Sequence, residues 1–212
     1  EISNQPNPRA SLNGWLVLLL AVFSALVAAY LPFALIVAPA LWAYAGARTK
    51  PAFIALPAIA YAAVMFTYDS VFTAAGLSGA AFLAAVLVYA LLTHRFGNAD
   101  TALILCGVFL VGLYTAICMP GIVGGRGAFA DVQAAMASLF DIYRSTITQI
   151  PGADAQAVQL ILEMLDANLK AVPDVVVSAL CIFAGILGLG NLLFFRLFCR
   201  KHPEIRLSPM RA

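Results

Sequence analysis

The sequence predicts an all-α integral membrane protein with about six transmembrane helices and an amphipathic helical hairpin between the fifth and the sixth. Of its 212 residues, 63% are hydrophobic and 10% are charged, against roughly 45–50% and about 25% in soluble domains. Several apolar runs approach the ~17–25 residues that one bilayer crossing needs. The one sizeable polar section has helical periodicity.

The N-terminal residues predict a polar cytoplasmic arm followed by two spans. The arm covers residues 1–13 and the first span 14–30, where Trp15 takes the place of an interfacial aromatic residue. One helix through this span and the next apolar run, 31–47, would be about 50 Å long, nearly twice the ~30 Å hydrocarbon core. The chain is therefore expected to turn near Pro32.

Three further spans complete a five-span membrane region over residues 14–120; they are predicted at 52–68, 78–93 and 101–119. The third span stops at Asp69. Asp100 is expected to be the N-cap of the fifth span and Pro120 to end it.

The polar section at residues 121–172 predicts two amphipathic helices on either side of Pro151 and Gly152, because apolar residues recur there at helical spacing. Their apolar stripes would cover the mouth of the membrane bundle, lie in the headgroup plane or pair with a second copy. The sequence does not choose among these. The glycine-rich entry around Arg126 is interpreted as a loop, with a hinge as the alternative.

A sixth span at 173–198, with Pro173 in its first turn, leads to a basic cytoplasmic tail at 199–212. Six spans place nine of the twelve basic residues on the cytoplasmic side, as the positive-inside rule requires. Three basic residues then lie outside: Arg126, Arg144 and Lys170. The sequence thus predicts a multi-pass protein of the cell (plasma) membrane with both termini cytoplasmic and an extracytoplasmic hairpin.

Several function classes are not expected from the composition. A formal net charge of +2 is too small for nucleic-acid binding. Two histidines and four cysteines without C-x-x-C spacing predict no metal site. Neither a phosphate-binding loop nor a nucleophile with its base is present in the sequence, so we expect no cofactor and no enzymatic activity.

Polar residues in or beside the spans are the candidate binding residues, because polar groups in lipid are costly without a partner. Asn191 is the strongest candidate for a buried polar role, with an interhelical hydrogen bond as the plainer interpretation. Four residues near the predicted outer mouth would suit a small-molecule pocket: Tyr30, Tyr68, Asp69 and Tyr114. The alternative is an interfacial aromatic belt with a solvated aspartate.

The first span carries a stripe of small residues, Ala21, Ala25 and Ala29, at a spacing that lets another helix approach closely. Such a stripe suits either packing within the chain or contact with a partner helix. In a chain this rich in alanine, the spacing is a weak signal.

The C-terminal part of the chain carries a family resemblance. Residues 171–177 read AVPDVVV, residues 191–196 read NLLFFR, and Arg200-Lys201 and the RLSP tail follow. With the proline-broken second span, this order resembles the YybS-like predicted membrane proteins. That family's six-helix plan is similar to the substrate-binding S-components of energy-coupling-factor vitamin transporters.

The resemblance implies roles for the residues named above. The alanine stripe would meet a coupling subunit, and a ligand would lie near the outer face beside Tyr30, Tyr68, Asp69 and Tyr114. The long outward hairpin departs from ordinary S-components. We therefore expect a small-molecule-binding or transport subunit without its own ATPase. The alternative is a structural or regulatory protein that forms a homodimer or recruits an envelope partner through the hairpin.

Overall fold

The computed structural model describes residues 8–93, 97–149 and 155–200, with side chains except at 8–13, 68, 91–93 and 155. Within these ranges every regular element is helical. Seven are α-helices: α1 (Pro8–Tyr30), α2 (Ala38–Arg48), α3 (Ala55–Tyr68), α4 (Val71–Thr93), α5 (Asn98–Val123), α6 (Ala130–Thr148) and α7 (Ala155–Cys199). Two are 3-10 helices: Pro32–Ile36 and Pro51–Ile54. The predicted all-α class is thus observed in the described residues.

The chain divides into two compact units. Unit 1 comprises Glu1–Ala116 and Ile182–Ala212, and unit 2 comprises Ile117–Cys181. Unit 1 therefore holds α1 to α4, most of α5 and the C-terminal end of α7. Unit 2 holds α6 and the longer N-terminal part of α7.

Three described helices are long and apolar enough to cross a membrane: Val71–Ala90, Asn98–Val123 and Gln156–Cys199. They contain most or all of the predicted fourth, fifth and sixth spans. Two shorter apolar helices, Gly14–Tyr30 and Pro51–Thr67, correspond to the predicted first and third spans. This architecture is compatible with a membrane protein.

The predicted second span is a broken segment in the centre of unit 1. After the 3-10 helix Pro32–Ile36, α2 has only 11 residues, about 16 Å at ~1.5 Å per residue. Eight of those residues are buried, and α2 packs against α1 and α4. Pro32 begins the 3-10 helix directly after the end of α1 at Tyr30, where the sequence predicts a turn.

The fifth predicted span differs from α5 at both ends. Asp100 is not the N-cap but lies in the first turn of α5, which begins at Asn98. Pro120 lies inside α5, which ends only at Val123. Proline cannot donate to the carbonyl four residues earlier, which is that of Ala116. That carbonyl instead accepts a hydrogen bond of 3.2 Å from the hydroxyl of Thr73 on α4.

The last predicted span does not begin at Pro173, because α7 runs through this proline and is 45 residues long. Its length is about 67 Å, more than twice the ~30 Å hydrocarbon core. Buried and half-buried apolar residues continue at helical spacing across the proline: Leu165, Leu169, Val172 and Val176. Packing of this stripe offsets the backbone hydrogen bond that proline removes.

A glycine turn connects α5 to α6 within unit 2. Gly125 and Gly127 have φ angles of 68° and 101°, which side chains with a Cβ rarely adopt. A Cβ on Gly121 would lie 2.2 Å from the Gly127 carbonyl oxygen, so the turn closes backbone to backbone. Arg126 forms an ion pair of 2.8 Å with Asp131 in the first turn of α6. The segment between the two helices is therefore a glycine turn.

Candidate functional site

Asn191 of α7 is fully buried and its side chain bonds the backbone at the break before α2. Its Oδ1 accepts the N–H of Ala40 at 2.9 Å. Its Nδ2 donates to the carbonyl of Leu35 at 2.9 Å and to that of Leu187, one turn earlier on α7, at 2.8 Å. Both amide donors and the amide acceptor are thus used within the protein.

The start of α2 needs these hydrogen bonds because the residues just before it supply no side-chain cap. Val37 is the N-cap residue of α2 and makes no side-chain cap hydrogen bond. The first turn of a helix leaves backbone N–H groups without intrahelical partners, and a buried orphan group is costly. Asn191 therefore acts as a capping residue supplied by a distant part of the chain.

Glycines let α7 approach its neighbours closely around this bond. A Cβ on Gly190 would lie 2.4 Å from the Ile36 side chain. A Cβ on Gly188 would lie 2.8 Å from the backbone nitrogen of Cys106 on α5. The lack of a side chain at Gly190 brings Asn191 within reach of the 3-10 helix, and Gly188 does the same for the contact between α7 and α5.

One end of unit 1 carries the start of α1, the end of α2 and the end of α7. A Cβ on Gly14 would lie 3.1 Å from Thr49, and the ring of Trp15 lies 5.8 Å from that of Phe53. At the same end, Arg196 of α7 donates a hydrogen bond to Asn98 of α5. The ring of Phe198 on α7 lies 5.8 Å from that of Tyr44 on α2. The predicted cytoplasmic ends of these helices therefore lie together.

The predicted mouth residues lie at the end of α1, within α5 and in the connection between α3 and α4. Tyr30, the last residue of α1, is 72% exposed, and Tyr114 on α5 is 44% exposed. Asp69 is exposed in the connection between α3 and α4 and accepts the N–H of Ser70 at 2.9 Å. The Tyr68 side chain lies outside the described set. These exposed residues are separate from Asn191, which is inside the core.

The connection after Asp69 is an ordered helix start. The N–H of Thr73 donates to the Ser70 hydroxyl at 3.1 Å, so Ser70 caps α4. The Thr73 hydroxyl lies 2.8 Å from the Ser70 hydroxyl and donates onward to the carbonyl of Ala116. This chain of bonds joins the start of α4 to α5 at the carbonyl that Pro120 leaves unpaired.

The alanine stripe on α1 lies inside unit 1. Ala21, Ala25 and Ala29 are 0%, 0% and 6% exposed. They belong to the hydrophobic core, where α1 packs against α2 and α3. Helices of this chain thus occupy the stripe, and a coupling subunit would have to meet a different surface.

Two apolar grooves flank α4 in unit 1. The groove between α4 and α5 has a volume of about 540 Å³ and includes Gly79, Gly107 and Thr115. The groove between α3 and α4 has a volume of about 240 Å³ and includes Ser78 and Phe82. Of the predicted ligand-binding residues whose side chains the structure describes, Tyr30, Asp69, Tyr114 and Asn191, none lines either groove. Both consist mainly of small and apolar residues, so they offer few groups that would orient a polar ligand.

Unit 2 presents a further feature, which we call the α6–α7 pair and define as α6 with residues 155–172 of α7. Arg144 of α6 forms ion pairs with Asp141 and, across to α7, with Asp166. No residue of α6 is buried. Six large apolar side chains of the pair are 40–62% exposed: Leu139, Ile142, Tyr143, Leu160, Ile161 and Met164. Leu139, Tyr143 and Ile161 belong to the stripes that helical spacing predicts, whereas Ile142, Leu160 and Met164 do not.

Comparisons with family models, with curated proteins and with solved structures find no match for this chain. The resemblance to the YybS-like proteins and to S-components therefore stays a prediction from the sequence.

Proposed function

We propose that this protein is a structural or regulatory membrane protein that acts by association through an extracytoplasmic helical hairpin, the α6–α7 pair. One observation carries the proposal: the pair leaves six large apolar side chains exposed, while its ion pair already joins the two helices. A hairpin needed only as a connection would bury its apolar stripe or have a polar one. Exposed apolar patches of this kind mark interaction surfaces.

The proposed topology has six crossings with both termini cytoplasmic. The broken segment of Pro32–Ile36 and α2 would be the second crossing, with Asn191 satisfying its backbone where no water is available. The contacts among the ends of α1, α2 and α7 support this arrangement, because they gather the predicted cytoplasmic ends. The acidic hairpin, with a balance of −2 over residues 121–172, would then lie outside.

The S-component-like carrier hypothesis has less support. Its proposed ligand residues are exposed at Tyr30, Asp69 and Tyr114, and Asn191 uses its amide for backbone bonds. The alanine stripe proposed for a coupling subunit is buried. A carrier would need a pocket with converging polar groups, which neither groove beside α4 provides.

Site-specific photo-crosslinking in intact cells tests the association. A photoreactive residue would replace Ile142 or Leu160 on the exposed apolar positions, and Thr148 or Glu163 on the side of the ion pair as matched controls. We expect protein adducts from the first two positions and few from the controls. Equal adduct yields at all four positions, or no protein adduct at any, would overturn the proposal.

A further inference from the structure

The start of α1 and the end of α2 meet at one corner of unit 1. A Cβ on Gly14 would lie 3.1 Å from the Thr49 side chain, so α1 crosses the end of α2 closely there. The ring of Trp15 lies 5.8 Å from that of Phe53, which belongs to the 3-10 helix after α2. We call this place the basic corner and define it by two basic and two aromatic residues: Arg48, Lys50, Trp15 and Phe53.

The basic corner carries positive charge with few acids near it. Arg48 is the half-buried last residue of α2, and Lys50 is exposed in the connection that follows. In the described part of unit 1 the acids are Asp69 and Asp100. Asp69 follows the far end of α3, about 20 Å along that 14-residue helix. Asp100 is exposed on α5, and Lys50 forms no ion pair within the described ranges.

An exposed apolar strip runs along α1 from the basic corner. Its five residues share one side of the helix and are 49–70% exposed: Trp15, Leu16, Leu19, Leu20 and Phe23. The strip is about 12 Å long at ~1.5 Å per residue, close to half of the ~30 Å hydrocarbon core. No charged residue interrupts α1 after Gly14. Cations therefore lie at one end of the strip, with an aromatic pair of the interfacial kind beside them.

We infer that the basic corner binds the phosphate headgroup of an anionic phospholipid, whose acyl chains lie along the apolar strip of α1. Arg and Lys form charge-assisted hydrogen bonds with phosphate oxygens, and basic pockets between membrane helices on the cytoplasmic side bind such headgroups. A free phosphate would use the two cations but not the strip, whereas a phospholipid complements both. The inference goes beyond the proposed function and shares only its topology, in which this end of unit 1 is cytoplasmic.

The experiment measures the tryptophan fluorescence of the full chain in bilayers that mix phosphatidylglycerol with phosphatidylcholine, one of them brominated as a quencher. Trp15 is 56% exposed and the second tryptophan, Trp42, is 0% exposed, so quenching reports lipid beside Trp15. We expect brominated phosphatidylglycerol to quench more strongly. Lys50→Gln should reduce this preference about fivefold, which is the contribution of one lysine at an anionic surface. Lys170→Gln removes the same charge from an exposed position of unit 2 and should leave the preference unchanged.

The control variant and a competing anion separate the possible failures. Equal quenching by the two brominated lipids, or an equal loss of preference in Lys50→Gln and Lys170→Gln, would overturn the inference. Relief of the quenching by inorganic phosphate, beyond that by sodium chloride at equal ionic strength, would assign the cations to a free anion and overturn it too. These results leave the proposed function intact, since the crosslinking positions Ile142 and Leu160 belong to unit 2. No quenching by either lipid would overturn both the inference and the proposed topology.

Discussion

Replacing Asn191 by alanine tests whether this residue caps the broken segment before α2. The change removes the partners of the Ala40 N–H and the Leu35 carbonyl, both at 2.9 Å. Each buried group left unpaired costs about 1–3 kcal/mol, so we expect a loss of about 2–6 kcal/mol. An ordinary interhelical hydrogen bond in a membrane protein contributes only about 0.6 kcal/mol on average. The size of the loss therefore distinguishes a cap from an ordinary bond.

The assay is the free energy of unfolding in mixed micelles, measured by titration with a denaturing detergent. Asn168→Ala is the matched control, since it removes the same side chain from an exposed position of the same helix. We expect the control to change stability by less than about 0.5 kcal/mol. A loss below about 1 kcal/mol for Asn191→Ala would refute the capping argument.

Two further pairs of substitutions test the packing of α4 against α5. Gly112→Ala should destabilise the protein by about 1–3 kcal/mol, because its Cβ would lie 2.3 Å from the Ala80 Cβ. Gly107→Ala, on the same helix, meets nothing within 4 Å and should be neutral or stabilising by up to about 1 kcal/mol. Equal unfolding midpoints for the two variants would contradict the close crossing. Thr73→Val should cost about 1–3 kcal/mol by leaving the carbonyl opposite Pro120 unpaired. Thr115→Val removes only a bond to its own helix and should cost less. The same unfolding titration compares the two variants. An equal loss would show that the Ala116 carbonyl, which Pro120 leaves without a backbone donor, needs no partner.

The sequence by itself determined the helical class, the apolar segments and the amphipathic pattern of the polar section. These follow from composition and from periodicities of a few residues, which act locally. The sequence also predicted that α1 ends at Tyr30 and that α3 ends before Asp69. Both ends could be predicted because proline and short polar residues affect the backbone locally. Asn191 was recognisable as a buried polar group from its apolar surroundings.

The tertiary structure decided the helix ends and the partners. Pro120 and Pro173 predict boundaries, yet both lie inside helices. A hydroxyl from α4 satisfies the carbonyl opposite Pro120, and an apolar stripe continues through Pro173. Likewise, local patterns cannot specify that Asn191 bonds backbone groups more than 150 residues away. Spacing predicts apolar stripes on α6 and α7, but Ile142, Leu160 and Met164, which the structure leaves exposed, lie outside those stripes. These outcomes depend on contacts between distant segments, which no local pattern contains.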